Sequence, residues 1–263
     1  MSYQKRDRSR LILLSLALYQ KRGIDLLNSI AAWFVDFGNS FYDNFIKDYR
    51  WKYLTTGLTN TLLITLGALI LGVVLGFLIA LVRTTHDKTG NLKFLNAIAK
   101  LYLTVIRGTP VVVQLMIIYF VIFAAVDINI ILVAIIAFGL NSAAYVAEIF
   151  RSGIMSIDPG QMEAGRSLGL NYTQTTWKII MPQAVKNVLP ALGNEMITLL
   201  KETSVAGYIG LQDLTKGGDI IRSRTYEAFL PLIAVAVVYL VLVLILQAGV
   251  NCLERRLRQS DRN

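Results

Sequence analysis

Residues 56–82 read TGLTNTLLITLGALILGVVLGFLIALV. The stretch contains no charged residue, and at about 1.5 Å of rise per helical residue it is long enough to cross about 30 Å of hydrocarbon. Gly72 and Gly76 form a small-xxx-small pair, which allows another membrane helix to approach closely. The stretch therefore predicts a transmembrane helix, and with it a fold whose main solvent is lipid.

The composition of the whole chain agrees with a membrane protein. Its 263 residues are 55% hydrophobic and 16% charged, whereas a soluble domain carries about 25% charged residues. The net charge of +9 comes from Lys and Arg just outside the apolar runs. There they set membrane orientation, so we expect no nucleic-acid binding. Cys252 is the single cysteine and His86 the single histidine, which excludes an intrachain disulfide and argues against a zinc-type site.

Further apolar stretches predict four more spans. With the first, the predicted spans cover about 56–82, 101–125, 128–150, 188–207 and 228–250. The segments between and after them that are rich in Lys and Arg are predicted to be cytoplasmic by the positive-inside rule. These segments are 83–100, the polar loop 151–187 and the C-terminal tail.

Two of the predicted spans depart from simple apolar helices. Pro110 interrupts the second span, and we expect a kink or break there, because proline lacks a backbone donor and restricts Thr109. The fourth span is the least apolar, since it carries Glu195, Lys201 and Glu202. We expect these three residues to have a gating or structural role, with Lys201 and Glu202 forming an ion pair.

Residues 1–50 form a separate region ahead of the transmembrane domain, which we place at 51–257, with a cytoplasmic tail at 258–263. The chain begins with a basic tail and an apolar run that lacks a small-residue cleavage site, so we interpret it as uncleaved. From Ile24 to Phe45 apolar residues recur every three or four positions, which favours an amphipathic helix lying in the membrane interface. An additional, poorly hydrophobic span is the alternative. Five spans with a cytoplasmic C-terminus place the N-terminus outside, which conflicts with its basic residues.

The predicted cytoplasmic loop contains EAGRSLGLNYTQTTWKIIMP at residues 163–182. This resembles the EAA loop of ABC-importer permeases, which runs Glu-Ala-Ala, three residues, Gly, nine residues, Ile, one residue, Leu-Pro. Residues at matching positions are Glu163, Ala164, Gly169, Ile179 and Pro182. Gly165 stands where the family has its second Ala, and Met181 stands where it has Leu. An ordinary amphipathic surface hairpin is the alternative interpretation.

The residue types of this loop predict two short helices. Pro159 can begin the first helix, and Gly169 can adopt a positive φ and turn the chain. The second helix is predicted from about Tyr172 to Met181, with a boundary or kink at Pro182. The resemblance implies that the loop binds an ATPase subunit through the residues Glu163, Ala164, Gly165, Leu168, Gly169, Ile179 and Pro182.

The resemblance covers roughly residues 53–257. The segments VIRGTP (105–110), GLNSAAYVAEIFR (139–151), GNE (193–195) and KETS (201–204) are similar to polar amino-acid permeases of the HisM/GlnP type. This resemblance implies an all-α integral membrane protein with the MetI-like type I ABC-importer permease fold, built on five core spans. It also implies a permease subunit that moves a polar or charged amino acid across the cytoplasmic membrane by ATP-driven alternating access.

The sequence contains no G-x-x-x-x-G-K-[ST] phosphate loop. We therefore expect a transport subunit that is not itself an enzyme and holds no cofactor. The resemblance implies two separate ATPase subunits that bind ATP and Mg²⁺, an extracytoplasmic solute-binding protein, and a second permease subunit. That second subunit is either another copy of this chain or a sister chain.

Polar residues inside the predicted spans are candidates for substrate contacts, because such residues are costly in lipid. Glu148 is a candidate acceptor for a substrate ammonium, and Gln114 and Asn141 are candidate donors to its carboxylate. The full candidate set is Thr61, Thr65, Gln114, Asn141, Tyr145 and Glu148. Two alternatives stay open: Asn and Gln often join membrane helices by hydrogen bonding, and Glu148 could pair with Arg151.

Three other functions compete with this prediction. An ion-coupled secondary transporter or channel is expected to have inverted repeats or a proton relay, and neither is visible in the sequence. A permease for another solute, such as a metal or a sugar, is closer to the prediction. A membrane scaffold protein is the third alternative.

Overall fold

The computed structural model describes residues 29–259, and within them every regular element is helical. The basic tail, the apolar run after it and the start of the predicted interfacial helix lie outside these residues, as do residues 260–263. The described helices are α1 (29–41), α2 (Trp51–Thr89), α3 (Lys93–Gly108), α4 (Val111–Ile117), α5 (Ile130–Met155), α6 (Pro159–Ser167), α7 (Tyr172–Thr175), α8 (Met181–Glu202), α9 (Leu214–Thr225) and α10 (Phe229–Gln259). Short π or 3-10 turns extend several of them, at Tyr42–Ile46, Lys47–Tyr49, Ile118–Ile122, Thr176–Ile180 and Thr203–Ile209.

Three of the described helices, α2, α5 and α10, are each long and apolar enough to cross a membrane. A fourth candidate is the pair formed by α3 and the segment Val111–Ile122, which meet at a bend of 111°. Helix α8 does not meet the same criterion within residues 29–259. Its sequence includes Lys186, Glu195, Lys201 and Glu202, so a span over 188–207 remains a prediction.

The centre of the fold is a tight pair formed by α2 and α5. A Cβ added to Gly72 would lie 2.9 Å from Oγ of Ser142, and one added to Gly76 would lie 2.7 Å from Cγ1 of Val146. Positions further along α2 contact positions further along α5, so the two helices run parallel. Two parallel helices that follow each other in the chain need a connection that returns to the starting side. The α3–α4 segment, which lies between them in the sequence, must make that return.

The break in the α3–α4 segment occurs where the sequence predicted it. Helix α3 ends at Gly108, and Thr109 is extended with φ −125° and ψ 149°. Pro110 is also extended, with φ −65° and ψ 136°, and α4 begins at the next residue. The result is a corner much sharper than a kink within one continuous helix.

The loop between α5 and α8 also forms as two short helices. The side chain of Asp158 accepts a hydrogen bond from the amide of Gly160 (2.8 Å) and caps α6, while Pro159 occupies the first turn. Gly169 has φ +86°, the left-handed conformation that glycine adopts readily. No helix boundary occurs at Pro182: the backbone stays helical from Tyr172 through a π turn at Thr176–Ile180 into α8, which has Pro182 in its first turn.

Helix α1 is exposed along its described length and is attached at its C-terminal end. The side-chain amide of Asn44 donates hydrogen bonds to the carboxylate of Glu227 and to the carbonyl of Ser40 (2.8 Å). Phe45 packs in a small core with Ile221 and Leu230. The aromatic residues Trp33, Phe34, Phe37 and Phe41 remain exposed.

Candidate functional site

Gln114 and Asn141 form a buried amide pair between α4 and α5. The Nδ2 of Asn141 donates to Oε1 of Gln114 (2.9 Å), and the two residues are 2% and 8% exposed, respectively. The Nε2 of Gln114 lies 2.8 Å from the carbonyl of Ile106 and 2.8 Å from Oγ1 of Thr109. These bonds connect the α3–α4 corner to α5. They agree with the alternative stated above, in which Asn and Gln join membrane helices by hydrogen bonding. In this conformation Nε2 and Oε1 of Gln114 and Nδ2 of Asn141 are engaged in these bonds, and a substrate contact remains a prediction.

Tyr145 and Glu148 lie one and two turns further along α5. The Tyr145 side chain is 37% exposed, and the guanidinium of Arg107 lies 5.8 Å from the centre of its ring. The carboxylate of Glu148 accepts hydrogen bonds from Nε of Arg151 at 3.1 Å to each of its oxygens. Glu148 is therefore engaged by a cation from its own helix, which was the second of the two open alternatives.

Thr61 and Thr65 are buried in a different part of the protein. The hydroxyl of Thr61 accepts a hydrogen bond from the amide of Leu214 (3.1 Å), and the hydroxyl of Thr65 donates to the carbonyl of Thr61 (2.7 Å). Thr61 precedes Gly72, which contacts Ser142, by about 16 Å along the helix axis. The structure therefore does not bring the threonines together with the polar residues of α5. They join α2 to the start of α9 instead.

Two carboxylates of α8 form no salt bridge within residues 29–259. The hydroxyl of Ser142 donates to Oε1 of Glu195 (2.8 Å), and Glu195 and Glu202 are both partly buried. Their spacing of seven residues places them on one face of the helix. Among the described residues neither carboxylate takes part in an ion pair. The sequence identified both acids but not their lack of a partner, which depends on contacts between helices.

No salt bridge joins Lys201 to Glu202 within residues 29–259, so the direct contact predicted from the sequence does not form, although the charge of Lys201 still acts on Glu202. Adjacent residues of an α-helix point about 100° apart, so their side chains diverge. Lys201 is exposed, whereas Glu202 is partly buried. Lys201 instead continues an exposed polar line along α8 that includes Asn194 and Thr198.

The loop at residues 163–182 has an outer and an inner layer. Ala164 and Leu168 are exposed and share one side of α6, and Leu168 is 80% exposed. Glu163, Gly169 and Pro182 are exposed as well, and Trp177, which the motif does not include, adds an exposed aromatic ring.

The inner layer of the loop explains one departure from the family pattern. Gly165 is buried, and a Cβ at this position would clash with Cγ2 of Thr175 and lie 3.0 Å from Cδ1 of Ile179. Alanine therefore has no room here unless these side chains move. Gly165 thus allows α6 to pack directly on the helical segment that follows it, with Ile179 partly buried between them.

The same loop packs against the ends of three long helices. Ile180 and Met181 share a small core with Ile154 of α5 and Phe77 of α2. The ammonium of Lys88, at the end of α2, lies 5.4 Å from the centre of the Tyr172 ring. A cavity of about 520 Å³ separates the loop from the ends of α2 and α5. A displacement of the loop would therefore act directly on α2, α5 and α8.

A buried carboxylate caps α9 at the other end of α2. Asp213 accepts hydrogen bonds from the amides of Thr215 (3.0 Å) and Lys216 (3.1 Å). Burial raises the pKa of Asp213, and the hydrogen bonds from these amides oppose that shift. Among residues 29–259 no group of three His, Cys, Asp or Glu side chains is placed to hold a metal ion.

Comparisons with known proteins agree on one family. The family model for the binding-protein-dependent transport system inner membrane component matches residues 72–259. The arginine transport system permease protein ArtQ of Bacillus subtilis (strain 168) is 40% identical over 211 residues, which cover 80% of this chain and 94% of that protein. The putative glutamine transport system permease protein GlnP of Rickettsia conorii is 34% identical over 219 residues, covering 82% of this chain and 98% of that protein.

A solved structure has a similar fold. One chain in the crystal structure of an amino acid ABC transporter with histidines is 41% identical and superposes with a TM-score of 0.73. The match covers 81% of the present chain and 98% of the solved one.

Proposed function

This chain belongs to the inner-membrane components of binding-protein-dependent transport systems, and we propose that it is the permease subunit of an ABC importer for a polar or charged amino acid. The fold predicted from the sequence, an all-helical MetI-like permease, is confirmed by the family match and the similar structures. The observation that carries the proposal is the loop at 163–182. It exposes Ala164 and Leu168 on one side while its other side packs on the ends of the long helices.

This loop has the features expected of a docking surface for an ATPase subunit. Leu168 and Trp177 are large apolar side chains exposed on a short polar segment between long helices, and such exposed apolar groups often mark protein interfaces. We propose that two ATPase subunits bind ATP and Mg²⁺ and close on two such loops. Because Ile180 and Met181 pack against α5 and α2, the movement would reach the transmembrane helices.

A second permease subunit and a solute-binding protein complete the proposed assembly. Asn194, Thr198 and Lys201 form an exposed polar line within the predicted fourth span. Polar side chains are costly when they face lipid, so this line favours a water-filled path or a partner subunit next to α8. The partner is a second copy of this chain or a sister chain, and the binding protein delivers the substrate from the outer side.

The unpaired acids of α8 are the best candidates to receive a cationic group of the substrate. The relative from Bacillus subtilis is named as an arginine permease, and a guanidinium or ammonium needs a carboxylate that is not already paired. Glu148 is bound by Arg151, whereas Glu195 and Glu202 form no salt bridge among the described residues. We therefore propose that Glu195 and Glu202, on α8, contact the substrate. Tyr145 and the Gln114–Asn141 pair would line the same path from α4 and α5.

Uptake into proteoliposomes tests the proposal. The chain is reconstituted with its ATPase and binding protein, and uptake of labelled arginine, lysine, glutamine and glutamate is compared with and without internal ATP. We expect ATP-dependent uptake of at least one of these amino acids. Uptake driven by an ion gradient without ATP would indicate a secondary transporter, and uptake restricted to a sugar or a metal would assign another substrate class.

The proposed orientation places the loop at 163–182 and the C-terminus in the cytoplasm, with α9 and the attached end of α1 outside. Because Cys252 is the single cysteine, a Cys252→Ser background allows one cysteine to be introduced at a time. Leu168→Cys should react with a membrane-impermeant maleimide only after permeabilisation, and Tyr226→Cys, at a side chain that is 96% exposed, should react in intact cells. The reverse pattern would invert the proposed topology.

A further inference from the structure

A cavity of about 490 Å³ opens between the end of α2 and the adjacent face of α3. None of its lining residues belongs to the loop at residues 163–182, which we call the coupling loop, or to α8. Three of its lining residues are cations and none is an acid; the lining consists of Arg83, Lys100, Leu103, Thr104, Arg107 and Gly108. A site of this composition favours an anionic ligand.

The positive charge of this cavity is only partly balanced within the described residues. Arg83, Lys100 and Arg107 form no ion pair there, and the buried Nε of Arg83 has no hydrogen-bond partner. Arg107 contacts the face of the Tyr145 ring, which leaves its N–H groups available. The nearby acid Glu148 binds Arg151 directly, and its charge also acts on Arg107 and Arg83, so one carboxylate is shared among three arginines.

The cavity lies near the predicted inner boundary of the membrane. Arg83 directly follows the first predicted span, and Arg107 lies beside Tyr145, which is about 8 Å along α5 from the end of the third predicted span. A different side of α3 exposes an apolar line, formed by Phe94, Ile98, Leu101 and Val105. Helix α3 therefore presents an apolar surface to lipid and a basic surface at headgroup depth.

We propose that this cavity binds the headgroup phosphate of an anionic phospholipid of the inner leaflet. Phosphate oxygens match the forked N–H groups of arginine, and a phospholipid also supplies acyl chains for the neighbouring apolar line of α3. Basic pockets between membrane helices on the cytoplasmic side suit such headgroups. The choice of leaflet rests on the proposed orientation, whereas the ligand chemistry rests on the cavity itself.

Native mass spectrometry of the full-length chain in neutral detergent tests the proposal. The chain is incubated with phosphatidylglycerol or with phosphatidylcholine of the same acyl composition, and the retained lipid is counted. We expect phosphatidylglycerol to be retained and phosphatidylcholine to be lost. Lys100→Gln and Arg107→Gln should each weaken retention about fivefold, because each basic residue near a membrane surface contributes about 1 kcal/mol. Lys93→Gln is the matched control, since Lys93 lies on α3 but does not line the cavity.

Several outcomes would overturn the proposal. Equal retention of the two lipids, or retention unchanged in both Gln variants, would exclude recognition of an anionic headgroup. Displacement of phosphatidylglycerol by millimolar inorganic phosphate would assign the cavity to a free phosphate, and displacement by an amino acid would assign it to a carboxylate ligand. Arg107→Lys keeps the charge but loses the forked N–H groups, so it should retain more phosphatidylglycerol than Arg107→Gln and less than the parent chain. A loss as large as that of Arg107→Gln would overturn recognition through positive charge.

Discussion

Helices α2 and α5 pack through glycine and alanine, whereas α8 contacts its neighbours partly through polar groups. In the α2–α5 pair Gly72 packs on Ser142 and Gly76 on Val146, which brings the two helices close together. In α8 the carboxylate of Glu195 meets the hydroxyl of Ser142, and Asn194 and Thr198 remain exposed. The first arrangement suits a rigid scaffold, and the second suits an element that meets water, substrate or a partner. The two regions should therefore respond differently to substitution.

The largest expected effect is on the scaffold. Gly76→Leu should prevent correct packing of α2 on α5, because even a Cβ at this position would lie 2.7 Å from Val146 and 2.9 Å from the carbonyl of Ala143. Overpacking typically costs about 1–3 kcal/mol, and contact with backbone leaves little room to adjust. We expect loss of the monodisperse peak in fluorescence-detected size-exclusion chromatography. Gly249→Leu in α10 is the control, since a Cβ there meets nothing within 4 Å. Equal behaviour of the two variants would contradict the rigid-scaffold interpretation.

The next prediction distinguishes the role of Glu195 on α8 from that of Glu148 on α5. Glu195→Gln should raise the KM for a cationic amino acid about tenfold or more, because a charge-assisted hydrogen bond contributes about 1.5–3 kcal/mol. Its folding should be unaffected, since glutamine can still accept the hydrogen bond from Ser142. Glu148→Gln should instead lower stability by up to about 1 kcal/mol, through its pair with Arg151, and leave KM nearly unchanged. Measuring KM and the melting temperature of both variants shows which acid contacts the substrate. A raised KM in Glu148→Gln with an unchanged KM in Glu195→Gln would assign the substrate role to Glu148.

A smaller effect is expected in the coupling loop. Gly165→Ala restores the family residue but introduces a clash with Cγ2 of Thr175, so it should reduce transport-coupled ATP hydrolysis severalfold. Thr175→Ser removes that methyl group, and the double variant should recover most of the activity. ATPase activity of the assembled importer measures both effects. Full activity of Gly165→Ala alone would mean that the loop adjusts freely and that its packing does not transmit force.

The smallest effect concerns Asp213. Burial raises its pKa in the folded protein above the unfolded value, so the folded chain binds a proton at Asp213 more readily than the unfolded chain does. The associated stability is present below the unfolded pKa and is lost as pH rises through the folded pKa. Asp213→Asn keeps the capping acceptor without the charge, so its melting temperature should depend less on pH over the acidic range. Identical pH profiles for the variant and the parent chain would contradict this assignment.

The features that were predictable from the sequence are local ones. The uncharged stretch at 56–82, the break at Pro110 and the positive φ of Gly169 follow from residue type and spacing within a few positions. The Glu148–Arg151 pair also lies within one helical turn, and it was recognised as an alternative.

The features that escaped prediction depend on residues far apart in the sequence. Asn141 meets Gln114 across 27 positions, and Ser142 meets Glu195 across 53. The separation of Thr61 from these groups depends on the register between α2 and α5, which the charge pattern of the loops does not give. Polarity within a span identified the candidate residues but could not indicate which of them were already paired.

The most direct test of the coupling role is ATP-driven uptake by the assembled importer with Leu168→Glu. Leu168 is exposed on the proposed docking surface, so a charge there should disrupt binding to the ATPase without disturbing the fold. We expect uptake and transport-coupled ATP hydrolysis to fall at least about tenfold, as for a residue at the centre of an interface, while Tyr226→Glu outside this surface behaves like the parent chain. Undiminished ATP-driven uptake by Leu168→Glu would contradict the account.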